Sequence, residues 1–217
     1  MPAWTSPSST EPRRPRRPLL LHPLAQPLLV LLGLLPLAEL IWRIAADALG
    51  ANPAEALIRQ TGDWTLRMLC LTLAVTPLRE ALGLPALARF RRTLGLFVYF
   101  YALLHLSAYA WLDMGLDPAA VGQDILKRPF ILVGFLALLL LTPLAATSFN
   151  GAIRRLGALR WKRLHRAVHA IAGLALLHFF WMRAGKQDFA EVAVYAAVIA
   201  LLLGWRLRGL PARRRSA

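Results

Sequence analysis

The sequence predicts an all-α polytopic membrane protein, a six-helix transmembrane bundle, and three observations predict it. Of 217 residues, 58% are hydrophobic and only 17% charged, with a positive mean hydropathy, which is too apolar for an ordinary water-soluble domain. Six apolar segments follow one another across short connections. The basic residues collect in every second connection, the pattern that sets the direction of membrane helices.

Residues 1–18, MPAWTSPSSTEPRRPRRP, combine Pro, Ser and Arg with almost no apolar content, so they are expected to form a flexible cytoplasmic tail. A basic stretch followed by leucines also suggests a secretory signal. The run from Leu19 to Trp42 is too long for one and ends in no small-x-small cleavage site, so an uncleaved first helix is expected. Crossing the hydrocarbon takes about 20 mostly apolar residues. The segments at 24–42, 63–79, 94–112, 129–147, 166–182 and 189–206 meet that need. The second and fifth are the weakest, because Arg67 interrupts one and histidines the other. The connections leave no room for a soluble domain, so 19–208 is read as one membrane domain with a basic tail at 209–217.

The formal charge of +15 would ordinarily suggest nucleic acid, but the bases lie between apolar runs rather than among aromatics on one face. The tail, the second connection (Arg79, Arg89, Arg91, Arg92), the fourth (Arg154, Arg155, Arg160, Lys162, Arg163, Arg166) and the C-terminal end are basic. The intervening connections carry Asp47, Glu55 and Asp63, then Asp113, Asp117 and Asp124, then Asp188 and Glu191, with fewer bases. Both termini are therefore expected in the cytoplasm, with spans three and five running outward. The fourth connection has a second reading beside orientation: arginines there can grip an anionic group such as a flavin phosphate or heme propionates. Cys70 is the only cysteine, so neither an intramolecular disulfide nor a thiolate cluster can form.

Ionisable side chains inside a span are costly and mark function by default. His105 lies ~17 Å along its helix from Leu94 and His178 ~18 Å from Arg166, a similar depth on helices of the same direction. Two such imidazoles among aromatics and leucines have the arrangement that axial ligation of a heme iron needs. The alternative for each is a hydrogen bond to a neighbouring helix. No cysteine or nearby carboxylate in sequence supports a zinc site or a proton relay. His165 suits a second cofactor near the cytoplasmic face, yet 13 residues of ideal helix turn it about 140° away from His178. The helix bends near Gly173, or the two serve different neighbours. His169 assists His165 or caps a polar interior, the second being favoured, and His22 is read as interfacial.

Four stretches carry a family resemblance: TGDWTLRMLCLTLAVTPLRE, RRTLGLFVYFYALLHLSAY, KRPFILVGFLALLLLTPLAATS and LGALRWKRLHRAVHAIAGLALLHFFW. In order and spacing, from about residue 60 to 182, the chain resembles the MsrQ (formerly YedZ) family, heme-binding membrane subunits of bacterial methionine-sulfoxide reductase systems. It is more distantly similar to the membrane domain of ferric reductases and NADPH oxidases. The resemblance implies a six-span b-type cytochrome of the bacterial inner membrane with heme b and FMN, drawing electrons from quinone. It also implies a partner, MsrP, a periplasmic molybdenum-cofactor enzyme that reduces methionine sulfoxide in oxidised proteins. The family's heme ligands map onto His105, His165 and His178. His169 departs from the tyrosine of the family's LHRxVY motif.

On this reading the chain transfers electrons and holds no sulfoxide-reducing site. The outer connection WLDMGLDPAAVGQDILKRP is either a partner's docking surface or a plain connector, and Arg67 contacts a propionate or quinone or else snorkels to the interface. The rival functions are a stand-alone ferric or quinone reductase, and a non-redox transporter or assembly factor.

Overall fold

A computed structural model describes residues 19–185 and 187–208. The two predicted tails, 1–18 and 209–217, lie outside the described residues. Among the described residues there are nine α-helices: α1 (Ala25–Ala45), α2 (Pro53–Ala81), α3 (Phe90–Leu112), α4 (Pro118–Lys127), α5 (Pro129–Ala146), α6 (Asn150–Leu156), α7 (Ala158–His165), α8 (Val168–Ala184) and α9 (Ala190–Arg208).

Each of the six segments expected to span is helical, as α1, α2, α3, α5, α8 and α9. Among the described residues, four stretches are long and apolar enough to cross a membrane: Ala25–Ala45, Pro85–Leu112, Pro129–Ala146 and Ala158–Ala184. At ~1.5 Å per residue α2 is longer than a hydrocarbon core of ~30 Å, and its first turns carry Glu55, Arg59 and Asp63. Helix starts are written in the sequence. The Asn52 side chain accepts from the Glu55 amide at 3.2 Å, Asp117 accepts from Ala119 and Ala120, and proline follows each cap, where a missing N–H costs nothing.

Two connections are more ordered than expected. The outer connection folds as α4, which buries Ile125 and is tied down by Tyr109 Oη donating to Asp124 at 2.6 Å. The basic fourth connection is a pair of short helices, with Gly157 at φ 75° making the corner between α6 and α7. Arg166 and Ala167 form a turn that separates α7 from α8. Of the two alternatives for His165 and His178, the bend near Gly173 is absent: α8 runs through Gly173, and the break lies six residues earlier.

Large apolar side chains point outward, including Leu24, Leu31, Ile41, Val194 and Leu201, as a bundle surrounded by lipid tails requires. The interior is built from Leu66, Leu69, Leu73, Val98, Tyr101, Leu141, Ile171, Ala172 and Ile199 of α2, α3, α5, α8 and α9. With apolar solvent outside, close packing and interhelical hydrogen bonds carry the association. α1 illustrates both: Gly33 lets the Phe97 ring lie against its backbone, and Tyr101 Oη donates to the Gly33 carbonyl at 2.7 Å.

At the basic end, polar bonds join elements distant in sequence. Gln26 donates to Thr93 at 2.6 Å, Arg89 to the Leu20 carbonyl at 3.0 Å, Arg92 to Asn150 at 2.6 Å and Arg206 to the Leu73 carbonyl at 3.0 Å.

A methyl group added at Gly33 would sit 2.3 Å from Phe97 Cε2. Gly33→Ala is therefore expected to destabilise the protein by about 1–3 kcal/mol, seen as a lower unfolding midpoint in detergent. An unchanged midpoint would show that α1 does not pack on Phe97.

Candidate cofactor site

His105 is seven residues before the end of α3 and His178 six before the end of α8. Both lie ~10 Å inside the end of the bundle that carries the acidic connections. Their ring centres are 6.1 Å apart with an interplanar angle of 72°. The depth match read from the sequence thus becomes a facing pair.

Each ring is fixed by a carbonyl of a neighbouring helix. His105 Nδ1 lies 2.8 Å from the Ile58 carbonyl of α2, with Thr61 Oγ1 at 3.5 Å. His178 Nδ1 lies 2.6 Å from the Phe130 carbonyl of α5, and the Phe130 ring stacks on the imidazole. A carbonyl oxygen only accepts, so both Nδ1 atoms carry the proton and both Nε2 atoms keep a lone pair. This is the outer-shell arrangement that orients metal-ligating histidine.

Two glycines make room for the rings. A Cβ at Gly62 would meet His105 at 3.1 Å, and one at Gly134 would meet His178 Nδ1 at 2.8 Å. The sequence reading passed over both, although a glycine inside an apolar run is the usual mark of close approach.

The pair lines a cavity of about 540 Å³ between α2, α3, α5 and α8. Leu69, Val98, Leu141 and Ile171 form its deep wall, and Glu55, Arg59, Asp63, Asp113, Arg128 and Arg183 surround its acidic end. Carboxylates that are remote from the histidines in sequence are thus brought near them by the fold. The three arginines have acidic partners: Arg59 with Glu55 at 3.0 Å, Arg128 with Asp124 at 2.9 Å, and Arg183 with Asp188 at 3.0 Å and with Glu191.

Among the described residues no group of three or more His, Cys, Asp or Glu side chains is placed to hold a bare metal ion. Two imidazoles suit a metal that brings its remaining ligands with it, as porphyrin iron does. The spacing agrees. Two metal–nitrogen bonds of about 2 Å each, with the offset of each nitrogen from its ring centre, give about 6 Å between centres.

The other candidates lie elsewhere. His165, at the end of α7, stacks on Trp161 at 3.9 Å, its Nε2 is 3.2 Å from Thr147 Oγ1, and Trp161 donates to the Thr147 carbonyl. It belongs to the basic end, apart from the pair. His169 is exposed and receives Arg206 Nη1 at 2.8 Å. His22 is exposed, its Nδ1 accepting from the Leu24 amide. Arg67 does not enter the cavity: it donates to Tyr195 Oη at 3.3 Å and lies 4.8 Å over the Trp64 ring on the outer surface of the bundle. Arg59, Arg128 and Arg183, which the sequence reading did not single out, are the cavity's arginines.

Residues 61–177 match the family described as "Ferric reductase like transmembrane component". The chain is 64% identical over 202 residues to the protein-methionine-sulfoxide reductase heme-binding subunit MsrQ of Polaromonas naphthalenivorans, covering 92% of each chain. It is 53% identical over 192 residues to the protein of that name from Bordetella pertussis, 88% of this chain and 93% of the relative. With the Ralstonia nicotianae protein it shares 54% over 177 residues, 82% of each. No solved structure matches. The chain belongs to the MsrQ family, within the ferric-reductase-like transmembrane proteins.

Proposed function

We propose that this member of the MsrQ family is the b-type cytochrome subunit of a protein-methionine-sulfoxide reductase system, carrying electrons across the bilayer and leaving sulfoxide reduction to a partner. The observation that carries the reading is the His105–His178 pair, with both Nε2 atoms available and ring centres 6.1 Å apart. The relatives' printed names, which include heme binding, support it. Heme b, bound there, supplies an iron that changes by one electron without movement of the polypeptide. The chain's residues hold and insulate it: the Ile58 and Phe130 carbonyls orient the ligands, and the apolar deep wall excludes water.

The donor is a membrane quinone and the acceptor an MsrP-like periplasmic molybdenum-cofactor subunit, docking at the acidic end where α4 and the cavity mouth lie. Basic connections then face the cytoplasm of a bacterial inner membrane, with both termini on that side. The membrane domain spans 19–208. FMN is assigned to the basic end, where the side chains of Arg154, Arg155, Arg160, Arg163 and Arg166 make no hydrogen bond to any described residue and can take a phosphate. His165 serves that second site and His169 supports it. A stand-alone ferric or quinone reductase is the alternative that the ferric-reductase match favours. It predicts full-rate acceptor reduction without the partner.

His105→Ala and His178→Ala are each expected to abolish the Soret band of the purified protein, measured as heme per polypeptide, while His169→Ala keeps it. His165→Ala should leave the heme held by His105 and His178 and lose flavin. Colourless but folded wild-type protein would reject the cytochrome reading. Gly134→Ala is expected to lower heme affinity at least tenfold in a hemin titration of the apoprotein, because the added methyl collides with the His178 ring; unchanged affinity would show that the ring does not sit there when ligated. Cysteines introduced at Asp188 and at Arg160 should react with a membrane-impermeant thiol reagent on opposite sides of sealed vesicles. Labelling on one side would refute the topology.

A further inference from the structure

We propose that the lipid-facing crevice between α1 and α2 is where a quinol is oxidised, with Glu39 accepting its protons and Trp64 forming the wall against its ring. This rests on the quinone-donor reading above and assigns that donor a place.

Glu39 is an unexpected residue in a membrane helix. It lies six positions before the end of α1, ~9 Å inside the acidic end of the bundle, which is about the depth of the histidine pair. Its side chain is exposed on the outer surface and has no hydrogen-bond or ion-pair partner among the described residues. A carboxyl at that depth is costly and is retained where it does chemistry. The crevice beside it is lined by Leu35, Pro36, Trp42 and Trp64. The Arg67 guanidinium lies over the Trp64 ring, and Trp64 packs against Tyr101 with ring centres 6.3 Å apart. Acid, flat aromatic walls and an opening toward lipid fit a ligand with an aromatic ring, hydroxyl groups and an apolar tail. A water-soluble ion would not enter from that side.

The same turn of α2 serves both sites. Trp64 faces the crevice, while Gly62, Asp63, Thr65 and Leu66 face the histidine cavity. One helix thus separates the quinol from the electron acceptor. In the step, a quinol loses two O–H protons and two electrons and becomes the quinone. Glu39 takes the protons in turn and releases them toward the acidic end. The electrons would leave singly toward the heme that His105 and His178 would hold, whose iron would take up one at a time and yield it to the partner.

The test is stopped-flow reduction of the purified heme-loaded protein in nanodiscs by decylubiquinol or, separately, menadiol. Wild type is expected to be reduced. Glu39→Gln should slow reduction at saturating quinol at least tenfold and flatten its pH profile, with Glu39→Asp restoring most of the rate. Trp64→Ala should raise the half-saturating quinol concentration at least fivefold. All three variants should keep wild-type heme stoichiometry and dithionite-reduced spectrum. Wild-type kinetics in both Glu39→Gln and Trp64→Ala would overturn the assignment of the crevice, as would loss of heme from Glu39→Gln, which would make the residue structural. A wild-type protein that neither quinol reduces would instead overturn the donor reading itself.

Discussion

Two hydrogen bonds from imidazole to backbone set the geometry on which the rest depends. His105 is held by α2 and His178 by α5, so neither histidine is positioned by its own helix alone. The pair is the meeting point of two antiparallel helix couples, α2 with α3 and α5 with α8. A carbonyl in the membrane interior has no water to turn to, and its bond to a ring N–H is kept because the alternative is an unsatisfied group. That bond decides the tautomer, and the tautomer decides which nitrogen faces the cavity. A sub-ångström displacement in either couple would change the distance between the rings.

Small residues make this closeness possible. Gly62 and Gly134 stand opposite the two rings, and Gly33 does the same for Phe97 of α3. Each gives up helix propensity for contact that a methyl group would block. Around them the aromatic side chains Trp64, Phe97, Phe100 and Tyr101 pack edge to face or tilted. They form a stiff wall between α1 and the histidine cavity. The polar bonds that join distant segments gather at the helix ends, where water competes but also where loops must be held.

The span order, the loop charges and the depth match of His105 with His178 were legible because hydropathy and rise per residue are one-dimensional quantities. Partner choice was not. Ile58 and Phe130 accept through backbone carbonyls, which no residue pattern marks, and Gly62 and Gly134 matter for what they lack. The Arg166–Ala167 turn was hidden because RLHRAVHA reads as uninterrupted helix, with neither glycine nor proline at the break. Treating 165–178 as one helix produced the rotation that kept His165 apart from His178. In the structure Arg166 and Ala167 keep helical dihedral angles, and His178 lines the cavity while His165 does not. Glu39 escaped notice because a single charge in a leucine-rich run barely lowers its hydropathy, and the sequence does not show which face it occupies.

The histidine pair sits nearer one end of the bundle than the other, and that asymmetry has a consequence for electron flow. His105 is ~10 Å from the acidic end of α3 but ~22 Å from its basic end. Under the proposed function, an acceptor docked at the cavity mouth would lie close to the histidine pair without any second carrier. A donor at the basic end is not, since the deep wall of Leu69, Val98, Leu141 and Ile171 intervenes. Under the proposed function, two arrangements meet this constraint. A relay through the His165 region spans the distance in two steps. A quinol that enters from the lipid beside Trp64 removes the distance altogether, because it delivers electrons at the level of the pair and its protons on the same side. The second needs no additional cofactor for conduction, so a flavin at the basic end would stand outside that path, beside Arg89, Arg92 and Arg206, which are committed to bonds that hold the fold.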